Sequence, residues 1–329
     1  MYGKRTVSKI AEEDDGQVPS CTHGPAIKFN RTRPDGSTRA FFACAAVRDR
    51  KECPLFHWVD DWGRLLKRRT QVEPAVRRKL TPSAGLGEEF LANAESGSAS
   101  QFFFDEKTQS RIYQLIGILK PSRILCIGCP SISRNFPGSV LLDIDDRLPD
   151  VKKFNMFSGH FFNYEDEDFV KNEKFDLVIC DPPFQPELLK RLNTSIKQFA
   201  PEAHVLLAFP CFNKDAVFEA LGATMTDLRL GYENHRKYKG DKSPVRLYTT
   251  LKQADLPLPE DDYVKCEPCG RYVHKLLNKH CSLCNACPTI HGNMLYKHCK
   301  TCGKCVKPGL KHCMTCKRCL SEDHQCLDH

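Results

Sequence analysis

Between residues 100 and 255 the apolar positions fall into short blocks of two kinds. Arg123–Ile127, Ser139–Ile144, Phe175–Cys180, His204–Phe209 and Val245–Leu251 are dense apolar runs bounded by Gly, Pro or Asp, the pattern of strands buried on both faces. Lys107–Leu119 carries apolar residues at 112, 115, 116 and 119, a helical spacing, and Glu187–Phe199 and Asp215–Leu221 also read as helices. Strand and helix in alternation predict an α/β, Rossmann-like doubly wound sheet, with ligands at the carboxyl ends of its strands. About 150 residues bury a self-sufficient core.

Outside this block the pattern changes. Residues 1–19 are polar, with the acidic run Glu12-Glu13-Asp14-Asp15, and are expected to form a disordered lead-in. Residues 20–62 alternate aromatic and polar positions around Pro34-Asp35-Gly36, which suggests a small β module. Residues 63–99 read as a basic helix followed by a Ser/Gly/Pro-containing linker. Residues 263–329 are too poor in large apolar residues to fold by burial, so something else must staple them.

Cysteine and charge divide at the same boundaries. Of 19 Cys in 329 residues, three lie in 1–80, four in 81–262 and twelve in 263–329. The first segment carries 17 basic against 10 acidic residues (net +7), the middle 21 against 27 (net −6) and the last 11 against 4 (net +7). Basic Cys-bearing ends on an acidic middle point to a polyanionic partner, most simply nucleic acid. No apolar run approaches the ~18 residues of a membrane helix, and the first residues lack a signal-peptide core. The chain is therefore expected to be intracellular and off the membrane, where clustered Cys reads as metal binding rather than disulfides.

The motif His-Cys-x2-Cys-x2-Cys occurs three times, as His280/Cys281/Cys284/Cys287, His298/Cys299/Cys302/Cys305 and His312/Cys313/Cys316/Cys319. Cys266-x2-Cys269 precedes them. Tetrahedral structural zinc takes four Cys or His ligands, often from a C-x2-C knuckle. An interleaved ladder uses each Cys once: Cys266, Cys269, His280 and Cys287; Cys281, Cys284, His298 and Cys305; Cys299, Cys302, His312 and Cys319; then Cys313, Cys316, His324 and either Cys326 or His329. His274 and His291 are read as surface residues. The tail resembles the cysteine-rich domain of DHHC palmitoyltransferases, down to Asp323-His324-Gln325-Cys326, but the chain lacks their membrane helices. The likeness is to a zinc scaffold. At the other end, Cys21-x-His23, Arg39-x-Phe41-Phe42-x-Cys44 and Cys53-x2-Phe56-x-Trp58 resemble a GRF-type zinc finger. That resemblance makes Cys21, His23, Cys44 and Cys53 the ligands, so about five zinc sites are expected in all. Trp58 is read as part of the finger's small core and Arg39 as a contact to phosphate or base.

Asp181-Pro182-Pro183-Phe184 follows an apolar strand directly. An amino nitrogen such as adenine N6 has its lone pair delocalised into the ring, and accepts a methyl group only when held toward tetrahedral geometry. A carboxylate and a proline carbonyl can accept its two N–H bonds, the Pro-Pro pair fixes the turn, and Phe184 offers a stacking face to an unpaired base. On the donor side, Gly128 at the end of Arg123–Ile127 allows close backbone approach to S-adenosylmethionine, although Pro130 replaces the more usual second glycine. Asp143, ending the next strand, is placed for ribose hydroxyls. Both Asp143 and Asp145 have helix N-capping as the plainer alternative.

These strings together resemble one family, the N6-adenosine methyltransferases of large-subunit ribosomal RNA known as zinc finger CCHC domain-containing protein 4. The likeness also runs through Ser100–Asp105, Asn155-Met156-Phe157, Asn234-His235 and Ser243-Pro-Val-Arg246. It implies a class I S-adenosylmethionine methyltransferase domain over 100–255, flanked by the finger and the zinc tail. It also implies that Gln101, Phe102, Phe103, Phe104, Ser131, Asp143, Asn155, Met156 and Asp181 line the cofactor site, and that Asp181, Pro182, Pro183 and Phe184 receive the adenine. Ribosomal RNA is the implied partner, with no obligate protein partner evident, and the nucleolus, with the cytoplasm as a second location, the implied place of work. The alternatives are a protein lysine methyltransferase with an Asp-Pro-Pro-aromatic motif, and a non-catalytic zinc protein that binds RNA.

Overall fold

A computed structural model describes residues 8–10, 18–47, 49–68, 101–289 and 294–326. Most of the 1–19 lead-in, the helix reading beyond residue 68, the 81–99 linker, His291 and His329 lie outside the described residues. The chain divides into two units, one of Met1–Phe103, Pro121–His204 and Asp215–Gly222, the other of Phe104–Lys120, Val205–Lys214 and Ala223–His329.

In the first unit a four-stranded antiparallel sheet forms from β1 (Ser8–Ile10), β4 (Ile27–Thr32), β5 (Thr38–Ala43) and β6 (Phe56–Trp58), beside the short pair β2 (Ser20–Cys21) and β3 (Gly24–Pro25). Its aromatic residues pack on each other: Phe41 stacks on Phe29 at 5.5 Å and meets Trp58 edge-on at 5.9 Å. Helix Val59–Arg68 follows directly, opening with Asp60 and Asp61, which suit the positive end of the helix dipole.

The central sheet has eight strands in the order β10-β9-β8-β7-β11-β12-β14-β13, where β7 is Ile124–Ile127, β8 Val140–Asp143, β9 Val151–Asn155, β10 His160–Phe161, β11 Leu177–Cys180, β12 His204–Pro210, β13 Thr224–Arg229 and β14 Val245–Thr249. β7, β8, β9 and β11 run parallel, and β7, β8 and β11 are buried at every position. β14 runs antiparallel to both β12 and β13, so the sheet is mixed rather than wholly parallel. The strand order reverses between β7 and β11, the switch point where such sheets bind ligands.

Besides the short β10 and helix Pro130–Ser133, three longer elements escaped the apolar pattern. β13 reads Thr-Met-Thr-Asp-Leu-Arg, yet Asp227 and Arg229 are buried, Asp227 accepting from His274 N and Arg229 Nη1 donating to the Asp241 carbonyl at 3.3 Å. β9 carries Lys152 and Lys153, whose ammoniums leave the sheet to pair with Asp166 and Asp146. Helix Tyr164–Asn172 buries only Val170, so its evidence lay in its cap: Asn163 accepts from Glu165 N, and three acids follow in the first turn.

In the second unit helix Glu106–Leu119 buries Ile112, Leu115 and Ile116 and is capped by Asp105, which accepts from Thr108 N. Its Arg111, 4% exposed, donates to Asp241 at 2.8 Å and to Asp262, while Lys107 pairs with the same two acids. The tail then forms three hairpins: β15 (Tyr263–Cys266) with β16 (Arg271–His274), β17 (Lys297–Cys299) with β18 (Lys304–Val306), and β19 (Lys311–Cys313) with β20 (Arg318–Leu320). Asp227 holds the first of them, accepting from His274 N at 2.8 Å and Asn278 Nδ2 at 3.1 Å. His274, expected at the surface, is buried.

Candidate methyl-transfer site and zinc centres

Sheet register sets three residues in a row. Cys180 pairs with Ile127, and Ile127 with Leu142, so Asp181, Gly128 and Asp143 leave or end adjacent strands side by side. Asp181 N donates to Ile127 O at 3.1 Å and Gly128 N to Leu142 O at 3.0 Å. Gly128 has φ +67°, and a Cβ placed there would lie 2.9 Å from the Asp181 carbonyl oxygen and 3.1 Å from Met156 Cε. A side chain would be both strained and crowded, which explains the glycine. Pro130 then occupies the first turn of helix Pro130–Ser133, where its missing N–H costs nothing.

Asp143 is 3% exposed, and burial pushes its carboxyl up to about 6. It accepts from Gln101 Nε2 at 3.0 Å and Asp145 N at 2.9 Å, an Asx turn rather than a helix cap. Asp145 likewise accepts from Arg147 N and pairs with its guanidinium. Pro182 is buried, Asp181 and Phe184 are half-buried, and Pro183 is exposed. Of the three phenylalanines, Phe102 is exposed while Phe103 and Phe104 are core residues, Phe104 packing on Tyr232 at 5.1 Å. Ser131 and Met156 are buried. Cys129 and Cys180 flank the row, and burial, with the Asp181 carboxylate nearby, pushes both thiols up. A neutral thiol does not compete for an electrophilic methyl group.

The glycine cradle and the acid ending the neighbouring strand fit a nucleoside-bearing donor such as S-adenosylmethionine. The carboxylate and prolines leaving β11 fit a planar amine.

Among the described residues five Cys3His groups have their ligand atoms within 4.8 Å of one another: Cys21/His23/Cys44/Cys53, Cys266/Cys269/His280/Cys287, Cys281/Cys284/His298/Cys305, Cys299/Cys302/His312/Cys319 and Cys313/Cys316/His324/Cys326. Sulfur–sulfur separations of 3.6, 3.7 and 3.5 Å in the first three tail groups are far beyond a disulfide. They match the edge of a zinc tetrahedron, about 3.8 Å for a 2.3 Å Zn–S bond. Strand alternation explains the interleaving. His298 pairs with Cys305 across β17–β18 and shares a face with it, while Cys299 points to the other face and the next group. The same holds for His312 and Cys319 in β19–β20. After each knuckle the chain reverses through a positive φ, at Gly270, Asn285, Gly303 and Lys317.

In the N-terminal finger, Val47 N donates to Cys44 Sγ at 3.3 Å. Arg39, expected to reach out to nucleic acid, lies 4.2 Å over Trp58 and pairs with Asp60 and Asp61. The acidic first turn of the following helix takes it up. Sequence reasoning missed Arg111, Asp227 and the hydrogen bond from Asn155 Nδ2 to His23 O, because each joins residues more than 40 positions apart and no local pattern records the pairing.

The switch-point glycine, the acid beside it and the mixed sheet, with β14 running against β12 and β13, define a class I methyltransferase. A family described as probable N6-adenine methyltransferase matches residues 95–253. The human rRNA N(6)-adenosine-methyltransferase ZCCHC4 is 32% identical over 94% of this chain and 78% of its own. The Xenopus tropicalis protein of the same name is 31% identical over 83% and 75%. The human EEF1A lysine methyltransferase 1 is 22% identical over 40% of this chain and 65% of its own. The chain belongs to the ZCCHC4 family of rRNA N6-adenosine methyltransferases.

Proposed function

We propose that this protein transfers a methyl group from S-adenosylmethionine to the N6 nitrogen of an adenosine in large-subunit ribosomal RNA, working in the nucleolus, while its zinc modules grip the RNA. The alignment of Asp181, Gly128 and Asp143 across three paired strands carries the reading. S-adenosylmethionine, when bound, supplies an electrophilic methyl on sulfonium. Gln101 orients Asp143 toward ribose hydroxyls, and Gly128 admits the donor close to the backbone. Phe184 stacks on the adenine, Asp181 accepts one N6–H and the Pro182 carbonyl the other. That pairing draws the nitrogen toward tetrahedral geometry and returns its lone pair for attack. The alkylated nitrogen is acidic and gives up its extra proton to water, so positioning and electrostatics suffice and no strong base is required. An adenine must be unpaired to present N6, which favours a loop or bulge within a structured RNA.

Zinc holds the two basic ends, each of net +7, and those ends give the affinity a steep salt dependence. Structural zinc contributes on the order of 10–16 kcal/mol per site, enough to fold a tail without an apolar core. A lysine methyltransferase is the second reading, but the likeness to that enzyme covers 40% of the chain, against 94% for the rRNA enzyme. Incubation of the purified chain with labelled donor and either total RNA or total protein separates the two. N6-methyladenosine in RNA is the expected product; label in lysine alone would overturn the proposal.

A further inference from the structure

Asn155 is 2% exposed and sits where β9 ends. Its amide makes bonds in two directions. Oδ1 accepts from Phe157 N at 3.1 Å and Ser158 N at 3.3 Å, closing the turn that carries Met156. Nδ2 donates to the carbonyl of His23 at 2.7 Å, and His23 belongs to the first Cys3His group. Met156 is held from its other side, its carbonyl accepting from Ser195 Oγ at 2.9 Å. Its methyl end lies 3.1 Å from where a Cβ on Gly128 would stand. The finger loop touches the same region again, since a Cβ on Gly24 would fall 2.9 Å from the His160 ring. One unbroken chain of contacts therefore runs from a zinc-ligand loop, through Asn155 and Met156, to the backbone of the donor loop.

We propose that Asn155 is a positioning residue that couples zinc occupancy of the N-terminal finger to the affinity of the donor loop. This rests on the reading that Gly128 admits S-adenosylmethionine. With zinc bound, the Cys21–Gly24 loop is fixed and the His23 carbonyl gives Asn155 a partner, which holds Met156 against Gly128. Without zinc the loop is released, the buried Nδ2 loses its acceptor, and the Met156 turn relaxes away from the donor side. Because coupling between sites is reciprocal, bound donor also slows zinc loss from the finger.

Three full-length variants test this: Asn155→Asp, which keeps the Oδ1 acceptor but sets a carboxylate oxygen against the His23 carbonyl, Cys53→Ser, which removes a finger ligand, and the double variant. S-adenosylhomocysteine affinity is measured by calorimetry, zinc content by elemental analysis, and folding by melting. The expected result is an affinity loss of about tenfold in each single variant and no further loss in the double, since both break the same link. Cys53→Ser should lose one zinc, and Asn155→Asp none. Unchanged affinity in either single variant, or losses that multiply in the double, would overturn the coupling. Failure of the wild-type protein to bind S-adenosylhomocysteine would instead remove the donor-site reading itself.

Discussion

Asp143 shows how a single buried group sets a pH response. Its carboxyl is pushed up to about 6 by burial, so the folded protein holds that proton more tightly than the unfolded chain does. The stability it contributes is full below about pH 4, the ordinary Asp value, and is lost as pH rises through about 6. In the proposed donor site the ionised form is the one that would accept the donor's hydroxyls. Donor affinity should therefore fall as pH drops from 7 to 5, and Asp143→Asn should bind weakly with no such dependence, as calorimetry at several pH values will show. Its place at the end of the second strand was legible in sequence, because the apolar run stops there. Its Asx turn was not, because Asn-like side-chain turns and helix caps share the same local residues. Asn155 was legible only as part of a family string, its partner lying 132 positions away.

At the scale of elements, the zinc hairpins and helix Glu106–Leu119 hold their surroundings by different means. The β17–β18 and β19–β20 hairpins bury no residue of their strands, and their interleaved ligand sets link each to the next. Cys299→Ser with Cys302→Ser should release one zinc, unfold the neighbouring hairpins and weaken RNA capture, read by elemental analysis and filter binding. Donor affinity should be unchanged. The helix instead depends on Arg111, whose guanidinium neutralises Asp241 and Asp262; burial alone would raise the Asp241 carboxyl, but the contacts from Arg111 and Lys107 outweigh it and pull it down to about 2. Arg111→Leu leaves two facing acids beside Lys107 alone, and should cost on the order of 3 kcal/mol in denaturant melts. Elements with continuous apolar runs, such as β7, β8 and β11, were plain from the sequence. Those whose buried positions are charged, such as β13, were hidden, because hydrophobicity patterns record burial only where it is apolar. The zinc ladder was legible for the opposite reason: cysteine spacing encodes the ligand set directly.

For the whole molecule, an acidic middle lies between basic ends that carry the Cys3His groups. That distribution suits an enzyme that must grip a large polyanion while leaving one base free to enter a turn. The catalytic claim is tested most directly by nucleoside mass spectrometry of large-subunit ribosomal RNA from cells lacking this protein, complemented with the wild-type chain or with Asp181→Ala. Loss of an N6-methyladenosine, restored by the wild type and not by a folded, zinc-replete Asp181→Ala protein, is the predicted result. Unchanged N6-methyladenosine on depletion, or full restoration by Asp181→Ala, would contradict it.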